Sequence, residues 1–126
     1  MNFIREIFED EMRVLNDNLP AGWVSSFVTE LKEELFNAIG VYAADFCILD
    51  CKEKYGEFRL YWHIRDNDYW NNEDYDNLKK ICSIIENIIK KYENISHETC
   101  MVCGKHTISR DHGLPLCEIH YPCDTI

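Results

Sequence analysis

Two short cysteine and histidine motifs near the C-terminus have the residue types and spacing of a metal site. Cys100 and Cys103 form a Cys-x-x-Cys pair, and Cys117 and His120 form a Cys-x-x-His pair after thirteen intervening residues. Two such turns, called knuckles below, can bring three thiolates and one imidazole into a tetrahedron around Zn²⁺. Gly104 follows the first knuckle, where the chain turns sharply and glycine meets no steric cost. The sequence therefore predicts one zinc ion bound by these four side chains.

Four protein ligands would leave the zinc no open position for water, so its predicted role is structural and not catalytic. The segment has few apolar residues of its own, and metal binding is expected to supply the free energy that folds it. Other side chains of the region remain alternative ligands: His97, His106, His112 and Cys123.

The cysteine count and the first residues of the chain indicate a reducing compartment. The chain has 7 cysteines, an odd number, and its first residues lack the basic-then-apolar pattern of an export signal. No run approaches the roughly 18 apolar residues of a membrane span. We therefore expect a cytoplasmic protein in which Cys47, Cys51 and Cys82 are small buried apolar residues.

Apolar periodicity predicts the elements that position this site. The predicted elements are helices over 2–17 and 23–39, a β-hairpin over 41–65 and a helix over 74–92. Gly40 is placed to end the second helix, and the hairpin is expected to turn at Gly56. The predicted fold class is α+β, with two N-terminal helices, a β-hairpin, a long core helix and a C-terminal zinc-knuckle tail. At 126 residues the chain is expected to form one folding unit, a body at 1–95 with the tail at 96–126 packed on it.

Residues 66–76, called the acidic loop below, combine carboxylates with aromatic side chains. The candidate partner-binding residues in this loop are Asp66, Asp68, Tyr69, Trp70, Glu73, Asp74 and Asp76. A calcium loop requires glycine at its sixth position and an acid at its twelfth. Counted from Asp66, these positions hold Asn71 and Asn77, so the segment is not a calcium loop of this type. Acids here also complement the N-terminus of the next helix. Because exposed aromatic residues among charges are typical of interface anchors, the loop is a predicted binding surface.

The charge balance is strongly acidic, with a formal net charge of −10. No segment is basic, which disfavours direct nucleic-acid binding because phosphates are neutralised by Lys and Arg. An acidic surface favours either a basic protein partner or simple solubility. The first helix carries a second acidic surface, at Glu6, Glu9 and Asp10, that is also a candidate for partner binding.

Known catalytic motifs are missing from the sequence. It contains no Gly-rich phosphate loop, no G-x-S-x-G elbow and no H-E-x-x-H helix. The first knuckle followed by Asp111 and His112 resembles the opening of an HNH endonuclease. That fold requires a further strand and a helix before its closing zinc pair, whereas Cys117 follows His112 by only five residues. We therefore expect a non-enzyme, and a degenerate HNH-like nuclease is the less favoured alternative.

Two sequence blocks resemble a family of small proteins from phages and other mobile elements. The first is Lys52-Glu53-Lys54-Tyr55-Gly56-x-x-Arg59-Leu60-Tyr61, and the second is Cys100-x-x-Cys103-Gly104 with Leu116-Cys117-x-x-His120. As a class, a small acidic protein of this kind is also similar to zinc-binding anti-CRISPR proteins. The resemblance implies an inhibitor that binds Cas9 and blocks target-DNA engagement. The alternative is a phage accessory module with another protein partner.

Overall fold

The computed structural model describes residues 2–107 and 114–120. Its elements, in chain order, are α1 (Asn2–Asn18), α2 (Ala21–Trp23), a π-helical turn (Val24–Val28), α3 (Thr29–Ile39), a 3-10 segment (Gly40–Asp45), β1 (Phe46–Lys54), β2 (Glu57–Ile64) and α4 (Asn72–Ser96). The α+β prediction is confirmed, with a two-stranded antiparallel sheet among helices. Within the described residues, no helix is both long enough and apolar enough to cross a membrane. The division into a body at 1–95 and a tail at 96–126 stays a prediction.

The prediction that an extended strand begins at Val41 is wrong. Gly40 ends α3 with a φ of 61°, as expected, but the chain then continues as a 3-10 segment to Asp45. This segment buries the consecutive residues Tyr42 and Ala43. A strand would place two consecutive side chains on opposite faces. Burial of both therefore favours the helical turn over the alternating pattern.

The hairpin turns at Tyr55 and Gly56, as its sequence predicts. Both residues have positive φ angles, 54° and 84°, which a two-residue type I′ turn requires. The register shifts between Ile48 and Asp50. Leu49 lies in this irregularity and is 65% exposed, whereas Phe46 and Cys51 on the same strand are buried. The irregularity therefore lets β1 keep both of those residues in the core although they are five positions apart.

Side chains from the helices bind outward backbone groups of the hairpin. The Glu11 carboxylate of α1 accepts a hydrogen bond of 2.7 Å from the Ile48 amide. On the other strand, the Phe58 amide donates to the Ser96 hydroxyl of α4 at 2.9 Å. Ser96 is fully buried and donates in turn to the Glu93 carbonyl. These contacts satisfy strand-edge groups that would otherwise be open for pairing.

The core between the helices and the hairpin is rich in aromatic side chains. Phe27 contacts Trp23, Phe58 and Tyr92, with ring centroids 5.6 to 6.0 Å apart. Trp23 is completely buried, and its indole N–H donates to the Thr99 carbonyl at 2.9 Å. This buried bond links the core to the chain segment that enters the first knuckle.

The cysteines outside the knuckles are not equally buried. Cys51 is buried, as predicted, and desolvation raises the pKa of its thiol to about 12. Cys47 and Cys82 are only partly buried, which corrects the prediction for these two positions. Cys47 lies on β1 and Cys82 on α4, and both side chains are partly exposed to solvent.

Candidate metal centre

The first knuckle is a tight turn closed by backbone hydrogen bonds. The Gly104 amide donates to the Cys100 carbonyl at 2.9 Å, and the Cys100 amide donates to the Lys105 carbonyl at 2.8 Å. Gly104 has a φ of 81°, so the left-handed conformation expected after the second cysteine is present. An isolated bridge between Thr99 and His106 extends the turn into a short ladder. The local sequence therefore aims Cys100 and Cys103 to the same side.

The second knuckle is hydrogen-bonded to the first. Its own turn is closed by the His120 amide, which donates to the Cys117 carbonyl at 3.0 Å. The Thr107 hydroxyl donates to the Leu116 carbonyl at 3.0 Å, and the Met101 amide donates to the Pro115 carbonyl at 2.9 Å. Because Leu116 and Pro115 directly precede Cys117, these bonds bring the two knuckles face to face.

The structure brings together the four side chains that the sequence predicts as ligands. The ligand atoms of Cys100, Cys103, Cys117 and His120 all lie within 4.8 Å of one another. The Sγ atoms of Cys103 and Cys117 are 3.7 Å apart, and the Nδ1 atom of His120 lies 3.2 Å from Cys117 Sγ and 3.6 Å from Cys100 Sγ. In the described part of the chain, these four form the one group of three or more such side chains able to hold a metal ion.

The electrostatics of the cluster favour a positive charge at its centre. Burial opposes ionisation of the Cys100 thiol, but hydrogen bonds from the backbone of Cys103, Cys117 and Val102 lower its pKa to about 6. The pKa of the His120 imidazole is raised by its hydrogen bonds to Cys117 and Cys100. The Cys100 thiolate is therefore stabilised next to a group that holds a proton, and a metal cation can take the place of that proton.

The knuckle lies directly against the start of α2. The Gly22 amide donates to the Met101 carbonyl at 2.9 Å. A Cβ atom added at Gly22 would lie 2.1 Å from the Cys100 carbonyl oxygen and 2.7 Å from the Gly104 amide nitrogen. Glycine is thus required here for close approach of two backbones. The sequence does not indicate this contact, because the Leu-Pro-Ala-Gly run around Gly22 is typical only of a break between helices.

The two alternative ligands that lie in the described residues do not join the cluster. His97 Nε2 lies 2.8 Å from a Glu57 carboxylate oxygen, and His106 is mostly exposed with Nε2 3.6 Å from Glu98. His112 and Cys123 lie outside the described residues. Neither His97 nor His106 therefore replaces a predicted ligand.

Hydrogen bonds and ring contacts hold the acidic loop in a defined shape. Asn71 and Asp74 form a reciprocal capping box at the start of α4, with both bonds at 2.9 Å. Asp74 also accepts a hydrogen bond of 2.8 Å from the Tyr42 hydroxyl, and Asp66 accepts one of 2.8 Å from the Tyr75 hydroxyl. Asp74 and Asp66 therefore have structural roles in addition to any role in binding.

The two predicted acidic surfaces differ in how far their charge is neutralised. On α1, Glu9 lies 3.7 Å from Arg5 and 3.5 Å from Lys32, and Asp10 lies 3.3 Å from Arg13, whereas the exposed Glu6 forms no ion pair with another described residue. In the acidic loop, none of the five carboxylates takes part in an ion pair with another described residue. The loop therefore keeps more uncompensated negative charge than the surface around Glu9 and Asp10.

No protein-family model, no curated protein and no solved structure matches this chain.

The predicted partner-binding residues of the acidic loop differ in their exposure to solvent. Tyr69 is 93% exposed, Asp68, Glu73 and Asp76 are exposed, and Trp70 is half-buried. The loop thus presents most of its candidate side chains to solvent.

Proposed function

We propose that the four-residue cluster is a structural zinc site. With Zn–S bonds of about 2.3 Å and Zn–N bonds of about 2.0–2.1 Å, tetrahedral geometry gives S···S distances of about 3.8 Å and S···N distances of about 3.6 Å. Of the six separations in the cluster, one between two sulfurs is 3.7 Å, two between sulfur and Nδ1 are 3.2 and 3.6 Å, and all lie within 4.8 Å. Three thiolates and one imidazole are also a donor set that zinc prefers. This match of donor type and separation supports zinc.

A zinc ion with four protein ligands is saturated, so its role in this proposal is to fix the chain. The first knuckle packs against Gly22, and Trp23 donates to Thr99 just before that knuckle. Met101 contacts both the main core and the small apolar cluster around Cys100 and Cys117. Zinc binding would therefore secure residues 99–107 against the start of α2.

The test is to measure bound metal and stability together. The purified chain should contain one equivalent of zinc by elemental analysis, and chelation should lower its midpoint of thermal unfolding. Cys117→Ser should lose the zinc, whereas Cys82→Ser, a cysteine outside the cluster, should keep it. A chain that contains no zinc when purified from zinc-supplemented cells, and whose unfolding is unchanged by added zinc, would refute the site.

For the function of the whole molecule, we propose a non-enzymatic module that binds a basic protein partner through the acidic loop. The observation that carries this proposal is the set of five loop carboxylates without an ion-pair partner among the described residues. The capping box and the tyrosine hydroxyl bonds hold two of these charges, Asp66 and Asp74, in fixed positions. A surface that is already ordered loses less conformational entropy on binding.

The partner hypothesis that follows from the class likeness is Cas9, with inhibition of target-DNA engagement as the activity. Cas9 presents basic surfaces to its guide and target nucleic acids, and an acidic loop has the complementary charge. The alternative partner is another basic host or phage protein. Both hypotheses require the same loop and differ only in the protein that it contacts.

The deciding experiment is a gel shift of labelled target DNA by guide-loaded Cas9, with and without an excess of this protein. Loss of the shift supports inhibition, provided that the protein alone neither retards nor cuts the DNA. The variant Asp68→Lys with Asp76→Lys should restore the shift. The matched control, Glu6→Lys with Asp10→Lys, changes the net charge equally and should still inhibit.

Three other results would each refute a different part of this proposal. An unchanged Cas9 shift would refute Cas9 as the partner and leave the binding module with another partner. Inhibition that survives charge reversal in the loop would refute the loop as the docking surface. Cutting of DNA by the protein alone would instead favour the HNH-like alternative.

A further inference from the structure

Three aromatic rings meet where the acidic loop joins the body. Trp70 of the loop contacts Tyr42 of the 3-10 segment, with ring centroids 5.6 Å apart and planes at 88°. It also contacts Tyr75 in the first turns of α4, at 5.7 Å and 83°. We call these three residues the aromatic corner. Tyr42 is buried, but Trp70 is only partly buried and Tyr75 is 41% exposed, so the corner presents ring surface to solvent.

Carboxylates surround this corner. The Tyr75 hydroxyl donates to Asp66, and the Tyr42 hydroxyl donates to Asp74, each at 2.8 Å. The pKa of the Tyr75 hydroxyl is raised, chiefly by the bond to Asp66 and further by burial and by the nearby charges of Asp66, Asp68 and Asp74. A phenol that donates to a carboxylate gains electron density in its ring, and the faces of such rings attract cations. Negative charge and exposed ring surface therefore coincide at one place.

This combination differs from an acidic patch that merely keeps a protein soluble. A solubilising patch needs no aromatic residues, yet Tyr69 extends almost fully into solvent between Asp68 and the corner. Two hydrogen bonds fix the backbone here, since the Tyr69 amide donates to the Asn67 side chain at 2.9 Å and the Trp70 amide donates to the Asn67 carbonyl at 3.1 Å. Exposed aromatic side chains on a fixed backbone, among charges, are typical anchors of protein interfaces.

We propose that the aromatic corner, with Tyr69 and Asp68, binds an arginine side chain of the basic partner. Arginine fits better than lysine for two reasons. Its planar guanidinium can stack on a ring while its N–H groups donate to carboxylates, whereas the lysine ammonium is a strongly hydrated point charge. This inference rests on the proposed function and names the chemical group that the loop selects.

The test compares two fluorescent peptides of equal length and charge, nona-arginine and nona-lysine, by fluorescence anisotropy with the full-length protein. The measurements are made at about 0.15 M salt, where charges beyond about 8 Å are largely screened. We expect the arginine peptide to bind about five- to tenfold more tightly than the lysine peptide, the range given by stacking and paired hydrogen bonds at a partly exposed site.

Paired variants separate the ring from its hydroxyl and from general charge. Tyr75→Leu and Tyr69→Ala should each remove most of the preference for arginine, while Tyr75→Phe, which keeps the ring, should retain more of it. Glu6→Gln with Asp10→Asn lowers the negative charge on α1 and should leave the preference unchanged. Circular dichroism of each variant establishes that the fold is intact.

The outcomes distinguish this inference from the proposed function. Equal binding of the two peptides, lost on neutralising Asp68 and Asp76, would overturn arginine selection and leave acidic docking by the loop in place. Binding that is lost only with the α1 variant, or no binding of either peptide, would overturn both. An arginine preference that survives Tyr75→Leu and Tyr69→Ala would also overturn the assignment to these rings.

Discussion

Gly22 lies where two backbones touch, and Gly22→Ala tests whether the body and the first knuckle are coupled. The added methyl carbon would lie 2.1 Å from the Cys100 carbonyl oxygen and 2.7 Å from the Gly104 amide nitrogen. Both contacts are with backbone atoms, which cannot rotate away as a flexible side chain can. The knuckle must therefore move away from α2, and the 2.9 Å bond from the Gly22 amide to the Met101 carbonyl would weaken or break.

The change in the free energy of unfolding follows from two destabilising effects and one stabilising effect. Overpacking typically costs about 1–3 kcal/mol, and a lost hydrogen bond costs about 0.5–1.5 kcal/mol. Alanine favours a helix over glycine by at most about 1 kcal/mol, which acts in the other direction. These ranges combine to roughly 0.5–4.5 kcal/mol, and we expect the free energy of unfolding to fall by an amount near their middle, about 1–3 kcal/mol. If the strain is carried by the knuckle, the apparent zinc affinity should fall by about five- to hundredfold.

Urea unfolding measures the first quantity, and competition with a chromophoric chelator measures the second. The control is Gly40→Ala, where an added Cβ meets no atom within 4 Å but the φ of 61° disfavours a side chain. This variant should lose stability, by about 1–3 kcal/mol, without a change in zinc affinity. A Gly22→Ala variant as stable as the parent, or more stable, with unchanged zinc affinity would refute the close contact between α2 and the knuckle.

Three further predictions concern the metal, one ion pair and one buried hydroxyl. Chelation should speed amide hydrogen exchange in residues 100–107 more than in the helices, because the tail's own apolar cluster is small. The pKa of Glu34 is lowered, chiefly by its 2.6 Å hydrogen bond from Lys91, so its stabilising effect is present above pH 4.5 and is lost as the pH falls through the lower folded-state value. Glu34→Gln should therefore flatten the acid side of the stability curve, with a loss of at most about 1 kcal/mol at neutral pH for this partly exposed pair. Ser96→Ala should cost about 1–3 kcal/mol in urea unfolding, because it leaves the Phe58 amide without its acceptor.

Each of these three has a control or a contradicting result. If amide exchange in residues 100–107 is the same before and after chelation, the metal does not order the tail. The exposed Glu86→Gln variant should keep the parent's acid dependence, and identical curves for both variants would contradict the role of Glu34. Ser83→Ala removes an exposed hydroxyl from the same helix as Ser96 and should change stability by less than about 0.5 kcal/mol.

The sequence alone determined the ligands of the candidate site and the local shape that holds them. Ligand types and a two-residue spacing suffice to indicate a knuckle, since a tight turn places both side chains on one side. Gly104 and Gly56 mark turns that need positive φ, and the structure has both. These features are local, because each depends on backbone sterics and hydrogen bonds within a few residues.

Periodicity predicted the helices well and the start of the hairpin poorly. The predicted helix at 74–92 extends over Asn72–Ser96, since the capping box at Asn71 sets its first turn. Tyr42, Ala44 and Phe46 fall on every second position after Gly40, which predicts a strand, yet Gly40–Asp45 folds as a 3-10 segment that buries Tyr42. Alternation over a few residues does not distinguish these states when tertiary packing buries consecutive side chains.

Only the tertiary structure decided which parts of the chain meet. The contact of Gly22 with Cys100 and the meeting of Tyr42 with Trp70 join residues far apart in sequence, and neither has a local pattern that predicts it. The structure also decided that Glu9 and Asp10 form ion pairs while the described acids of the loop do not. The physical reason is that spacing along the chain encodes local turns and faces, whereas neutralisation of a charge or close approach of two backbones depends on how those faces pack.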